Sequence, residues 1–267
     1  MIRLAIRVRR EQSEVVLAEL LELAPRGVEE VERGGIVEYA VYGASGELPT
    51  LPDLRAAAGD ALVEVSTQEI AEDWADRWRE FHKPLVLDGR LTVRPPWEPR
   101  GETPVDLVID PGRAFGTGAH ATTRMCLELM LSLRAVGPFV DLGCGSGVLA
   151  IAAARLGFGP VLAVDNDPAA LEATQANAAS NGVTLDVRRV DLRAEPVPLA
   201  PTVVANLVTP LLIPSAPALA QGTERVIASG ILGEETDRVV SGFTLGGLRE
   251  QARLQDGGWV ALLFETA

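Results

Sequence analysis

The run Phe139-Val140-Asp141-Leu142-Gly143-Cys144-Gly145-Ser146-Gly147-Val148 carries an apolar strand through glycines at alternate positions into the apolar helix Val148 to Leu156. Glycine lets the backbone approach a ligand with no Cβ in the way, and the free N–H groups at the start of the helix favour a carboxylate or another anionic group. The dinucleotide fingerprint is G-x-G-x-x-G. This loop reads G-x-G-x-G after an acidic residue, which points to S-adenosylmethionine rather than NAD, with the methionine carboxylate at the helix N-terminus. Taken alone, the cluster also fits a plain tight turn between strand and helix. On the ligand reading, Gly143 and Gly145 are cofactor-binding positions.

A second apolar run, Val161-Leu162-Ala163-Val164-Asp165, ends in a carboxylate about 20 residues past the loop, where a Rossmann arrangement places the acid that accepts from the ribose hydroxyls. Asp167-Pro168 reads as the cap and first-turn proline of the next helix. Asp191, after the strand Leu185 to Val190, either contacts the adenine edge or caps a turn. The run Val203-Val204-Ala205-Asn206 ends in an amide at the carboxyl edge of the expected sheet, where such folds bind their ligands. The Asn206 side-chain carbonyl and a neighbouring backbone carbonyl can accept both N–H groups of a neutral amine, directing its lone pair at a methyl carbon. Asn206 can also merely terminate the strand.

The stretch Ile109-Asp110-Pro111-Gly112-Arg113-Ala114-Phe115-Gly116-Thr117-Gly118-Ala119-His120-Ala121-Thr122-Thr123-Arg124 places glycines, a histidine and paired threonines just before a helix. His120 is either a general base or a hydrogen-bonding brace for its loop. Two cysteines, Cys126 and Cys144, lie apart from one another, and there are only two histidines, His82 and His120. Neither a disulfide framework nor a metal centre is expected.

These residues need a scaffold, and the strands that alternate with helical runs after residue 104 argue for a doubly wound α/β domain with a mainly parallel sheet. Residues 1–66 read differently. A strand at 2–8, a helix carrying Val15, Leu17, Leu20 and Leu21, strands near 26–32 and 36–41 around Gly34-Gly35, a helix at 51–58 and a strand at 61–65 give the β-α-β-β-α-β order of a ferredoxin-like module. Residues 67–104 read as a linker, with a Trp-rich helix around Trp74 and Trp78, a strand after it and then the punctuation Pro95-Pro96-Trp97-Glu98-Pro99. The domain expectation is therefore 1–66, 67–104 and 105–267.

Hydrophobic residues make up 47% of the 267 and charged residues 23%, as in a folded globular chain. No stretch approaches the roughly 20 apolar residues of a membrane span, and MIRLAIRVRR lacks the apolar core of a signal peptide, so a cytoplasmic location is expected. The net charge of −13 argues against direct nucleic-acid binding and suits a basic protein substrate, though acidity also serves plain solubility.

Taken together with Ala228-Ser229-Gly230-Ile231-Leu232, the four motifs resemble the bacterial ribosomal protein L-eleven methyltransferase family. The resemblance extends to the Trp74 to Pro84 stretch as the family's linker and to the N-terminal module as its substrate-recognition domain. It implies a Rossmann-like class I methyltransferase domain preceded by a small ferredoxin-like α+β domain and a linker. It further implies contacts to S-adenosylmethionine from Thr123, Gly143, Asp165 and Asn206, with Asn206 also beside the accepting nitrogen and the glycine-threonine segment folded over the cofactor. The implied reaction is N-methylation of lysine ε-amines and of the N-terminal α-amine on a large-subunit ribosomal protein. A monomer that contacts neither nucleic acid nor membrane is expected. Two other readings stand beside it: an N-methyltransferase for another protein or a small amine, and a non-catalytic cofactor-binding scaffold. An NAD-dependent oxidoreductase is disfavoured by the G-x-G-x-G spacing.

Overall fold

The computed structural model describes residues 2–24, 28–33, 35–43, 48–69, 83–111 and 120–266. The chain divides into two compact units, Met1–Phe81 and His82–Ala267.

In the first unit, β1 (Ile2–Arg9), α1 (Ser13–Leu23), β2 (Glu29–Arg33), β3 (Ile36–Gly43), α2 (Leu51–Ala58) and β4 (Leu62–Glu69) form an antiparallel sheet in the order β2-β3-β1-β4. That is the ferredoxin-like order. Alternation along β1 decides which side is core: Leu4, Ile6 and Val8 are buried, while Arg3 and Arg7 lie on the opposite face. The buried set joins Leu17 and Leu20 of α1, Val37, Tyr39 and Val41 of β3, and Leu54 of α2. On the other face Glu38 accepts from Arg3 Nη2 and Arg7 Nε at 2.6 Å each, and Arg7 Nη1 continues the row to Glu64 at 2.5 Å. Thr50 and Asp53 form a capping box that starts α2.

The second unit begins with a small sheet of β5 (Leu85–Leu87), β6 (Leu91–Arg94) and β7 (Val105–Val108), in which β6 and β7 run parallel. The stretch expected as a linker over 67–104 is thus divided. Residues 67–69 finish β4, and 85–94 pair within the second unit, because Leu87, Leu91 and Val93 are buried there. The Trp-rich helix expected around Trp74 and Trp78 lies outside the described residues.

Seven further strands follow: β8 (Phe139–Leu142), β9 (Val161–Asp165), β10 (Asp186–Arg189), β11 (Thr202–Asn206), β12 (Arg225–Leu232), β13 (Leu248–Asp256) and β14 (Trp259–Thr266). Their order is β10-β9-β8-β11-β12-β14-β13, parallel from β10 through β12, with β14 antiparallel to both its neighbours. This is the Rossmann-like class I methyltransferase architecture expected from sequence. The helices are α3 (Ala121–Ser132), α4 (Val148–Leu156), α5 (Pro168–Ser180), α6 (Thr209–Gly222) and α7 (Thr236–Leu245). Val140, Leu142, Val203, Ala205, Val226 and Ala228 pack with Leu212, Ala216 and Leu219 of α6 and Val239 and Phe243 of α7. The alternate residues of β8 point the other way, so Asp141 is turned to α4, and β8 and the first four residues of β11 are buried throughout.

Candidate active site

The turn after β8 is built by conformation first. Gly143, Gly145 and Gly147 have φ of +72°, +53° and +81°, a region that strains any residue with a Cβ. Gly143 N and Cys144 N both donate to Val164 O, at 2.9 and 3.0 Å, which fastens the turn to the end of β9. At Gly147, which precedes α4, an added Cβ would stand 2.8 Å from Thr174 Cγ2. The result is a cradle of glycine backbone at a helix N-terminus, a place where a carboxylate can be held.

Asp165 closes the cradle from the side. Its Oδ2 accepts from Gly145 N and its Oδ1 from Asp167 N, each at 3.0 Å. Each carboxylate oxygen keeps a lone pair, so the same group can also accept from ribose hydroxyls, and the residues present fit S-adenosylmethionine. Asp167 caps α5 through Ala169 N at 2.9 Å, as the Asp-Pro pair predicts. Asp191 accepts from Arg193 N at 3.0 Å, which is the turn-capping alternative for that residue.

Asn206 ends β11 beside the cradle, half-buried, and its Nδ2 donates to Oγ1 of the buried Thr123 in the first turn of α3 at 3.3 Å. Four of the sequence-predicted positions, Gly143, Gly145, Asp165 and Asn206, therefore lie at the carboxyl edge of adjacent strands, and Thr123 reaches the fourth from a helix. His120 is the N-cap of α3. Its Nδ1 lies 2.8 Å from Thr122 Oγ1 and accepts from Thr122 N at 3.4 Å, and its ring meets Trp259 edge-on at 5.3 Å. Burial lowers its pKa to about 4 against the pull of Asp256, so it is neutral at pH 7 and a weak base. The glycine-threonine segment Gly112 to Ala119 lies outside the described residues.

Several residues at the site escaped the sequence reading. Asn177 of α5, 3% exposed, donates from Nδ2 to Ser146 O at 2.9 Å and accepts at Oδ1 from Asp110 N at 2.9 Å. Thr174 Oγ1 donates to Gly145 O at 3.0 Å, and Asn181 holds both backbone groups of Val108. The signal was their spacing. Thr174, Asn177 and Asn181, three and four apart, make a polar stripe on the buried face of a helix. Asp141, fully buried under the turn, accepts from Ala150 N at 3.0 Å through Oδ2, while Oδ1 has no hydrogen-bond partner among the described residues. Burial, reinforced by Asp165, raises its pKa to about 7.

A cavity of about 250 Å³ lined by Arg94, Arg100, Asp106, Arg155 and Asn181 sits by the C-terminal ends of α4 and α5, the opposite end of α4 from the cradle, and includes none of Thr123, Gly143, Gly145, Asp165 and Asn206. Among the described residues no group of three or more His, Cys, Asp or Glu could hold a metal, and no helix is long and apolar enough to cross a membrane.

The sequence matches the family described as Ribosomal protein L11 methyltransferase (PrmA) over residues 47–267. It is 45% identical over 208 residues to the ribosomal protein L11 methyltransferase of Pelotomaculum thermopropionicum, covering 74% of this chain and 67% of that one. It is 40% identical over 227 residues to the Geobacter sulfurreducens protein of the same name, covering 81% and 74%. The crystal structure of ribosomal protein L11 methylase from Lactobacillus delbrueckii subsp. bulgaricus superposes with a TM-score of 0.63 at 26% identity, over 70% of this chain and all of that one. With a family match over residues 47–267 and relatives of this identity and coverage, the chain belongs to the ribosomal protein L11 methyltransferase family, S-adenosylmethionine-dependent methyltransferases.

Proposed function

We propose that this enzyme methylates the lysine ε-amines and the N-terminal α-amine of ribosomal protein L11, with Asn206 orienting the accepting nitrogen. The observation that carries the reading is the hydrogen bond from Asn206 Nδ2 to Thr123 Oγ1 beside the Gly143 turn. The amide nitrogen donates to Thr123, and Oδ1 is the group that accepts from an amine N–H. Gly143, Gly145 and Asp165 hold the cofactor, and Thr123 fixes the Asn206 amide.

S-adenosylmethionine, when bound, supplies a methyl carbon made electrophilic by its sulfonium. Only a neutral amine can attack it. A free lysine of pKa about 10.4 needs roughly 4.6 kcal/mol to be deprotonated at pH 7, so the site must disfavour the ammonium. Burial beside a fixed positive charge does so without a dedicated base, in keeping with a His120 whose basicity is suppressed. Accepting bonds from Asn206 Oδ1 and a nearby backbone carbonyl then hold the amine in line.

The first unit serves as the recognition module. A lone amine makes too few contacts for specific affinity, and remote binding energy must come from another surface. A net charge of −13 suits a basic ribosomal protein rather than direct contact with RNA, and the enzyme would act in the cytoplasm as a monomer. Incubation with methyl-labelled cofactor and total ribosomal proteins should place the label in L11. Label in a different protein, or only in a small amine, would favour the alternative acceptor, and cofactor binding without transfer would favour a scaffold.

A further inference from the structure

Among the described residues the Asn206 side chain has one tie, the 3.3 Å bond to Thr123, and the backbone that carries the amide must be placed separately. Its chain neighbour Leu207 is held from two sides. A Cβ placed on Gly143 would stand 2.4 Å from Leu207 Cδ2, and a Cβ on Gly230 would stand 2.5 Å from Leu207 O and 2.8 Å from its carbonyl carbon, closer than real Cβ atoms come. Leu207 N donates to Ser229 O at 3.0 Å. The register of β12 against β14 shifts between Ala228 and Ile231, and Gly230 takes a φ of +80° there. This irregularity carries the Ser229-Gly230 backbone against Leu207. Ser229 Oγ donates to Val260 O at 3.2 Å, tying it to β14.

We propose that Leu207, seated between Gly143 and Gly230, sets the Asn206 amide relative to the cofactor turn, and that Gly230 is the positioning residue on which this depends. The proposal rests on the reading of Asn206 as the residue that orients the acceptor. Gly143 grips the Leu207 side chain, whereas Gly230 meets its backbone. A methyl group at 230 therefore has no flexible side-chain end to push aside. It must displace the Leu207 carbonyl, and Asn206 one residue earlier moves with it.

Gly230→Ala in the full chain should leave the S-adenosylmethionine Kd within about threefold while kcat on L11 falls at least about tenfold, since displacements near 1 Å cost up to about a hundredfold. The side-chain amide NMR signal of Asn206 should shift in the same variant. Gly230→Asn, which tolerates a positive φ, should behave alike if close approach rather than backbone conformation is the cause. Adding Leu207→Ala should not rescue Gly230→Ala, whereas it should recover part of the cofactor affinity lost in Gly143→Ala, where the contact is with Cδ2. Wild-type kcat in Gly230→Ala, an unmoved Asn206 signal, or rescue by Leu207→Ala would overturn the proposal. If Gly230→Ala does not fold, Leu207→Ala alone should shift the Asn206 signal, and an unmoved signal there would overturn it equally. If the wild-type enzyme does not methylate L11, the acceptor assignment fails, while the amide signal and cofactor titration still test the seat.

Discussion

Asn206 Nδ2 donates to Thr123 Oγ1, joining the last residue of β11 to the first turn of α3 across 83 residues of sequence. The bond orients the Asn206 amide, whose Oδ1 is its acceptor for an amine N–H. Thr123→Val keeps the shape of a side chain that is 1% exposed and removes the acceptor. A neutral hydrogen bond contributes about 0.5–1.5 kcal/mol, so kcat on L11 should drop by roughly two- to tenfold with the fold intact, measured alongside the thermal midpoint.

Asp165 has two tasks, holding Gly145 N and Asp167 N and accepting from the ribose. Asp165→Ala should weaken S-adenosylmethionine binding at least about tenfold by calorimetry, from charge-assisted bonds of about 1.5–3 kcal/mol each. Unchanged affinity would remove Asp165 from the cofactor site.

Asp141 makes stability depend on pH. Its pKa is raised from 3.8 to about 7, so between these values the folded chain binds the proton the unfolded chain has lost, and stability falls as pH rises through that window. His120 works in the opposite sense: lowered from 6.5 to about 4, it subtracts stability as pH falls through its own window. Asp141→Asn keeps an acceptor for Ala150 N and cannot ionise. Denaturant titrations at pH 5 and pH 8 should show the variant gaining on wild type at the higher pH by on the order of a few kcal/mol. His120 cancels in that difference. A gap independent of pH would mean that Asp141 does not titrate in this range.

The parallel strands were legible because burial on both faces makes β8 and β11 apolar almost end to end, and the first unit was legible because Leu4, Ile6 and Val8 alternate with Arg3, Ala5 and Arg7. Gly143, Gly145, Asp165 and Asn206 were singled out because each ends a strand or lies in the turn just after one. What escaped depends on contacts that sequence order does not carry. Asn177 links Asp110 to Ser146, and Leu207 meets Gly143 and Gly230, pairs between 23 and 67 residues apart. The pairing of Leu85–Leu87 and Leu91–Arg94 was hidden by prolines that read as linker punctuation while β7 supplied the partner strand.

Asn177 offers a separate check on the scaffold behind the cradle. Asn177→Ala would remove the hydrogen bonds to Asp110 N and Ser146 O together, and an intramolecular hydrogen bond contributes about 0.5–1.5 kcal/mol, so both stability and cofactor affinity should decline. A stable variant with normal affinity would show that the bridge is dispensable.

A chain beginning at Lys83 retains β5, β6 and every proposed cofactor contact. It should bind S-adenosylmethionine with near-normal affinity and lose kcat/KM on intact L11. Equal kcat/KM in the shortened and full chains would show that the first unit is not a recognition module.

The central claim is that Asn206 presents an amine of L11 to the cofactor's methyl group. Mass spectrometry of L11 recovered after reaction with wild-type enzyme or with Asn206→Asp, at saturating cofactor, tests it most directly. The account predicts added methyl groups on lysine ε-amines and the N-terminal α-amine with wild type, and a near-complete loss of them with a folded, cofactor-binding Asn206→Asp enzyme. Unmodified L11 from the wild-type reaction, or equal methylation by the variant, would contradict it.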